Sequence, residues 1–167
     1  MSTSVARDLF NNLQTKERSN DFIRLFDYIE GLTHRVGGFS IEEALKSVFG
    51  DNKPDWVYQF VKNIPSLESG NISDGDMNLL REVREMIEKS TVVKIEINFS
   101  PSLEFVSNVI KILRENYGDM NFIIDIDVLE NLESGAMFYI GGNVIDLTVR
   151  NKVTSYLIAQ DVINRFL

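Results

Sequence analysis

Few residues of this chain have types and spacings that suit chemistry. Asp125 and Asp127 stand at i and i+2 in an alternating apolar segment. On a strand, that spacing puts both carboxylates on one face, where they could bracket a hard cation. The plainer reading is that they are the solvent-side positions of a half-buried strand, and it is the reading favoured. His34 is the sole histidine. As a general base it lacks a serine, carboxylate or second histidine at a diagnostic spacing, so it reads as a surface or helix-end residue. Gly37-Gly38 and Gly141-Gly142 suggest a phosphate cradle only until their context is read. Neither pair completes a P-loop or a dinucleotide fingerprint, so both read as turns. Asn71-Ile72-Ser73 is formally a glycosylation acceptor, but no secretory signal accompanies it.

Composition narrows the chemistry further. The 167 residues contain no cysteine, which excludes disulfides, thiol nucleophiles and zinc ribbons. With 25 acidic and 17 basic residues the net charge is −8, so phosphate-rich partners such as duplex DNA or RNA are poor candidates. No stretch approaches the roughly 18 consecutive apolar residues of a membrane span, and the N-terminus has no apolar core of a signal peptide. These features place the chain in the cytoplasm, with no catalytic residue, cofactor or metal expected.

The elements that position these residues change character near Ser90. Before it, the apolar spacing is helical. Val5, Leu9 and Leu13 with Phe10 mark a first helix, and Phe22 to Leu32 mark a second, running from about Asn20 to Thr33. Ser40 and Glu43 suggest a capping box for a third that ends at Gly50. Pro54 reads as an early position of a fourth, which carries Trp56, Val57, Phe60 and Val61. Ser73 and Asp74 open a helix that turns Met77, Leu80, Val83 and Ile87 inward and ends near Lys89.

After Ser90, Val93, Ile95, Ile97 and Phe99 alternate with polar residues, the signature of a strand with one wet face. Ser100 as N-cap and Pro101 as first helical residue suggest a helix to Gly118, followed by a strand from Asn121 to Val128. Ala136–Ile140 and Asn143–Ile145 flank Gly141-Gly142 as a tight hairpin, and Asp146 and Thr148 open a last helix toward Leu167. The expected fold class is α+β. An N-terminal all-helical bundle, residues 1–90, precedes a small β-α-β-β-α domain, residues 91–167.

The stretch Glu130 to Val153 resembles the C-terminal signature of the F-type ATP synthase delta subunit family, called the oligomycin-sensitivity-conferring protein in mitochondria. Gly135 takes the place of the second glycine in that pattern, and Ile140 and Gly141 match its Ile-Gly. Val144, Ile145 and Asp146 match Val-Ile-Asp, while Thr148, Val149 and Arg150 stand for Ser-Val-Arg. Ser134 replaces the first glycine, and Leu147 replaces a small residue. Val5 to Phe10 is similar to the opening helix of the family, although about 90 residues is short for its six-helix bundle.

The resemblance implies a stator rather than an enzyme. Its helical domain would receive the N-terminal helices of alpha subunits. Its second domain would hold the C-terminus of the peripheral-stalk b subunits, at the membrane only through the ATP synthase complex and without direct membrane insertion. Helix-in-groove binding is the expected mode. A groove on helices one and four, including Phe10 and Trp56, is the expected site for the alpha partner, with ordinary core packing favoured over it for both residues. An adaptor for a variant rotary ATPase or another complex, and a small-molecule-sensing regulatory domain, are the alternatives.

Overall fold

The computed structural model describes residues 2–33, 40–64, 66–67, 72–118, 120–132 and 134–151. His34, Gly37-Gly38, Asn71 and the last helix beyond Asn151 lie outside the described residues. The fold is α+β with the helices first, and the contacts divide the chain into two compact units, Met1–Ser90 and Thr91–Leu167.

The first unit is helical. It contains α1 (Ser2–Asn11), α2 (Lys16–Thr33), α3 (Ile41–Phe49), α4 (Asp55–Lys62) and α5 (Asp74–Glu88). On α1 the inward face is Ala6, Leu9 and Phe10, with Leu13 just beyond the helix, whereas Val5 is 40% exposed. Leu9, Phe10 and Leu13 are buried as their spacing requires, and Ala6 rather than Val5 completes the inward face. α2 starts earlier than the expected Asn20. Thr15 accepts the Ser19 N–H through its carbonyl, and its hydroxyl faces the Arg18 N–H, so Thr15 opens the helix.

Aromatic contacts join α2, α3 and α4. Phe22 meets Phe60 edge-on at 5.4 Å, Phe60 meets Trp56 at 6.0 Å, and Trp56 meets Phe49 at 6.1 Å. Such edge-to-face pairs add to burial because the positive ring edge faces the negative ring face. Arg84 on α5 reaches Asp27 on α2 at 2.8 Å and lies over the Phe26 ring.

Helix ends follow local chemistry unevenly. Ser73 caps α5 as expected, accepting the Asp76 N–H at 3.1 Å, and Gly50 ends α3 at φ 64°. The expected capping box at Ser40 is absent: its side chain makes no cap hydrogen bond. Pro54 is the N-cap of α4 rather than a helical residue, with ψ 146°.

The second unit holds β1 (Thr91–Ile97), α6 (Leu103–Tyr117), β2 (Phe122–Val128), β3 (Ala136–Ile140) and β4 (Asn143–Asp146). The sheet order is β2-β1-β3-β4, with β1 and β2 parallel and the β3–β4 hairpin antiparallel beside β1. Val93, Ile95 and Ile97 are fully buried, and with Ile124 and Ile140 they pack against Val106, Ile110 and Leu113 of α6. β1 stops before Phe99, which is 44% exposed. α6 begins two residues later than expected, since Ser102 rather than Ser100 accepts the Phe105 N–H, at 3.1 Å, and Pro101 precedes the helix.

Candidate functional site

The signature residues of the second unit act on the backbone. Gly141 and Gly142 hold φ 54° and 84° at the β3–β4 turn, where both central residues need the left-handed region. Gly135 precedes β3 at φ 132°, and the chain returning from β4 crosses it. The Leu147 N–H donates to the Ala136 carbonyl at 2.9 Å and the Val149 N–H to the Ser134 carbonyl at 2.8 Å, one on each side of Gly135. A Cβ at Gly135 would meet the Thr148 Cα at 2.6 Å. Glycine is therefore needed for space as well as for conformation.

Asp146 and Thr148 then turn the chain toward the last helix. The Asp146 carboxylate accepts the Thr148 N–H at 2.8 Å, and hydrogen bonding from Thr148 holds its pKa below the ordinary value. Thr148 is 5% exposed, and its hydroxyl accepts the Asn151 N–H at 3.4 Å. Val149 and Arg150 lie on the surface in the first helical turn, and Ile140 is buried in the sheet core. Val144 is 56% exposed on the outer sheet face. Gly135, Ile140, Gly141, Val144, Asp146, Thr148, Val149 and Arg150 are thus brought together by the hairpin and the turns that flank it.

Asp125 and Asp127 do share a face, as their spacing requires, but that face also carries charge from β1. Register pairs Lys94 with Asp125 and Glu96 with Asp127. The Lys94 ammonium lies 2.8 Å from Glu96 and 3.0 Å from Asp127, and the Tyr139 hydroxyl donates to Glu96 at 2.7 Å. Donating hydrogen bonds to Glu96 and Asp127 pushes the Lys94 pKa up, while accepting them from Lys94 and Tyr139 pushes that of Glu96 down. The Asp127 carboxylate is thereby met by an ammonium from the neighbouring strand. Among the described residues, no group of three or more histidine or acidic side chains is arranged to hold a metal ion.

Phe10 and Trp56 have the core environment that is the favoured reading for both. Phe10 is fully buried and Trp56 is 6% exposed, so both are core residues of the helical unit. Trp56 is engaged by Phe49 and Phe60, which the helical spacing of α3 and α4 turns toward it.

An apolar groove lies in the second unit, between α6 and the β3–β4 hairpin. It encloses about 360 Å³ and is lined by Val109, Ile112, Tyr117, Phe138, Ile145 and Leu147 among others. Ile112 is 57% exposed, Ile145 43% and Leu147 45%, so apolar side chains face the opening. Sequence reasoning missed this groove. One signal was present: Ile112 falls off the buried stripe of α6, about 200° around the helix from Ile110. Another was Leu147, an apolar residue where the resembling pattern has a small one.

Among the described residues, no helix is long and apolar enough to cross a membrane. No protein-family profile and no curated protein sequence matches the chain.

Proposed function

We propose that this chain is a non-catalytic connector: a stator subunit of an F-type ATP synthase that links the catalytic head to the peripheral-stalk b subunits. The observation that carries the reading is the apolar groove between α6 and the β3–β4 hairpin, opened by Ile112, Ile145 and Leu147. An amphipathic partner helix would bury its i, i+3, i+4, i+7 stripe there, which removes apolar area from water on both sides. The resemblance of Glu130 to Val153 to the delta-family signature supports the choice of partner. So does the order of a helical unit followed by a small α+β unit. In this role the chain resists rotor torque, works in the cytoplasm, and meets the membrane only through the complex.

The net charge of −8 favours partners whose helices carry basic flanks, since such helices are steered toward an acidic surface. The helical unit would engage the N-terminal helices of the alpha subunits, through surface residues and not through Phe10 or Trp56.

Calorimetric titration of the full chain with two peptides tests the reading, one from the N-terminus of the alpha subunit and one from the C-terminus of the b subunit. Saturable binding of both is expected, with the b peptide weakened by Ile112→Asp or Leu147→Asp. If neither peptide binds, an adaptor role in another complex replaces the stator reading.

A further inference from the structure

The groove has two unlike ends. Because β1 and β2 are parallel, α6 runs back against both, from the Ile97 end of the sheet to the Thr91 end. β3 pairs Ala136 with Ile97 and Ile140 with Val93, and the Leu147 N–H returns to the Ala136 carbonyl. Leu147 therefore stands toward the amino end of α6, while Ile140 stands toward its carboxyl end with Asn116 and Tyr117. An α-helix carries partial positive charge at its amino end and partial negative charge at its carboxyl end, so the groove has that polarity along its length. Its rim repeats the order. Lys111 and Glu115 are both exposed, one turn apart, with Lys111 nearer the amino end of α6. At about 100° per residue they fall to one side of Ile112, whereas Val109 and Leu113 of the groove wall fall to the other. The wall supplied by the hairpin, Phe138, Ile140, Ile145 and Leu147, carries no charge, so the order of charge along the groove comes from α6.

We propose that the groove is directional: it receives a partner helix antiparallel to α6, with the amino end of the partner beside Glu115 and its carboxyl end beside Lys111. The direction rests on the connector reading above. Apolar contact with Ile112, Ile145 and Leu147 is non-directional, so it does not choose between the two ways round. Charge does. In the antiparallel arrangement the helix dipoles oppose, and each rim charge meets the complementary end of the partner. The parallel arrangement sets like ends side by side and brings each rim charge to the end of its own sign. The partner that fits has an apolar stripe flanked by a basic side chain toward its amino end. Toward its carboxyl end it carries an acidic side chain or its terminal carboxylate.

The chain has no cysteine, so introduced thiols report proximity without background. Asn108 and Asn116 are exposed, four residues before and after Ile112, about 12 Å apart along α6. Asn108→Cys and Asn116→Cys are made separately in the full-length protein. The probe is the peptide from the C-terminus of the b subunit, with one cysteine toward its amino end or one toward its carboxyl end. The rate of mixed-disulfide formation is followed under mild oxidation, and circular dichroism of the reduced variants checks that each is folded. The amino-end cysteine is expected to react at least about tenfold faster with Asn116→Cys than with Asn108→Cys, and the carboxyl-end cysteine to show the reverse preference. Equal rates, the same preference from both ends, or the opposite pattern overturns the proposal.

Exchanging the rim pair, Lys111→Glu together with Glu115→Lys, keeps the net charge at −8 and reverses its order. The end preference should fall by about threefold or more. A preference that the exchange leaves unmoved overturns the electrostatic basis of the direction. Calorimetry with the same peptide separates the two readings: binding without the expected end preference sinks the direction alone, whereas no binding sinks the connector reading and the direction with it.

Discussion

Gly135 and Leu147 stand back to back: a Cβ on Gly135 would lie 2.5 Å from the Leu147 carbonyl oxygen. The contact is made by backbone, which cannot swing aside as a flexible side chain can. It locks the start of β3 to the chain leaving β4, and the cap for the last helix is built on that lock through Asp146 and Thr148.

Gly135→Ala is therefore expected to destabilise the second unit by about 3 kcal/mol, combining overpacking with an unfavourable φ. Gly141→Ala faces only the conformational cost, since nothing lies within 4 Å of a Cβ there, and about 1 kcal/mol is expected. Urea denaturation followed by circular dichroism compares them. Equal losses would show that the close approach to Leu147 does not matter.

The two serine caps of the helical unit should separate in the same way. Ser73→Ala removes an acceptor from the Asp76 N–H and should cost about 1 kcal/mol. Ser40→Ala removes no cap hydrogen bond, so a change within about 0.5 kcal/mol is expected. Denaturation midpoints followed by the fluorescence of Trp56, the sole tryptophan, report both.

Acid should weaken the outer face of the sheet. Glu96 has its pKa held below the ordinary 4.5 by hydrogen bonds from Lys94 and Tyr139. The folded state thus binds the proton less readily than the unfolded one. Its contribution is present above the unfolded pKa and is lost as pH falls through the folded value. Stability should decline as the pH falls below about 4.5 and through the lower folded value, and Glu96→Gln should make that decline shallower. At the alkaline end, Tyr139 is raised above 10.0 by donating to Glu96, so its contribution is full below 10.0 and fades as pH rises through the folded value. Chemical denaturation across pH tests both ends, and a wild-type slope unchanged by Glu96→Gln would contradict the acid-side account.

Phe10→Ala should act on stability and not selectively on binding. Phe10 is fully buried, and its truncation is expected to cost about 3 to 5 kcal/mol. Trp56→Ala falls in the same range. A peptide from the N-terminus of the alpha subunit whose affinity falls sharply for a Phe10 variant of unchanged midpoint would reinstate the groove on helices one and four.

The sequence by itself determined the elements and their inward faces wherever a period was sustained. Met77, Leu80, Val83 and Ile87 on α5, and Val93, Ile95 and Ile97 on β1, are buried as their spacing requires. Gly141 and Gly142 announced the hairpin because only glycine takes two successive positive φ values without cost. Helix starts were less legible at Ser40, Pro54 and Ser100, since several adjacent residues could serve as caps and packing selects among them. Contacts between distant segments were not legible at all. Lys94 meets Asp127 only because β1 and β2 pair in one register, and the groove exists only because the hairpin seats Ile145 and Leu147 beside Ile112. A period of 2 or 3.6 tells each element which face to bury, but which neighbour covers that face, and which apolar side chains are left uncovered, depends on the joint packing of elements far apart in the chain.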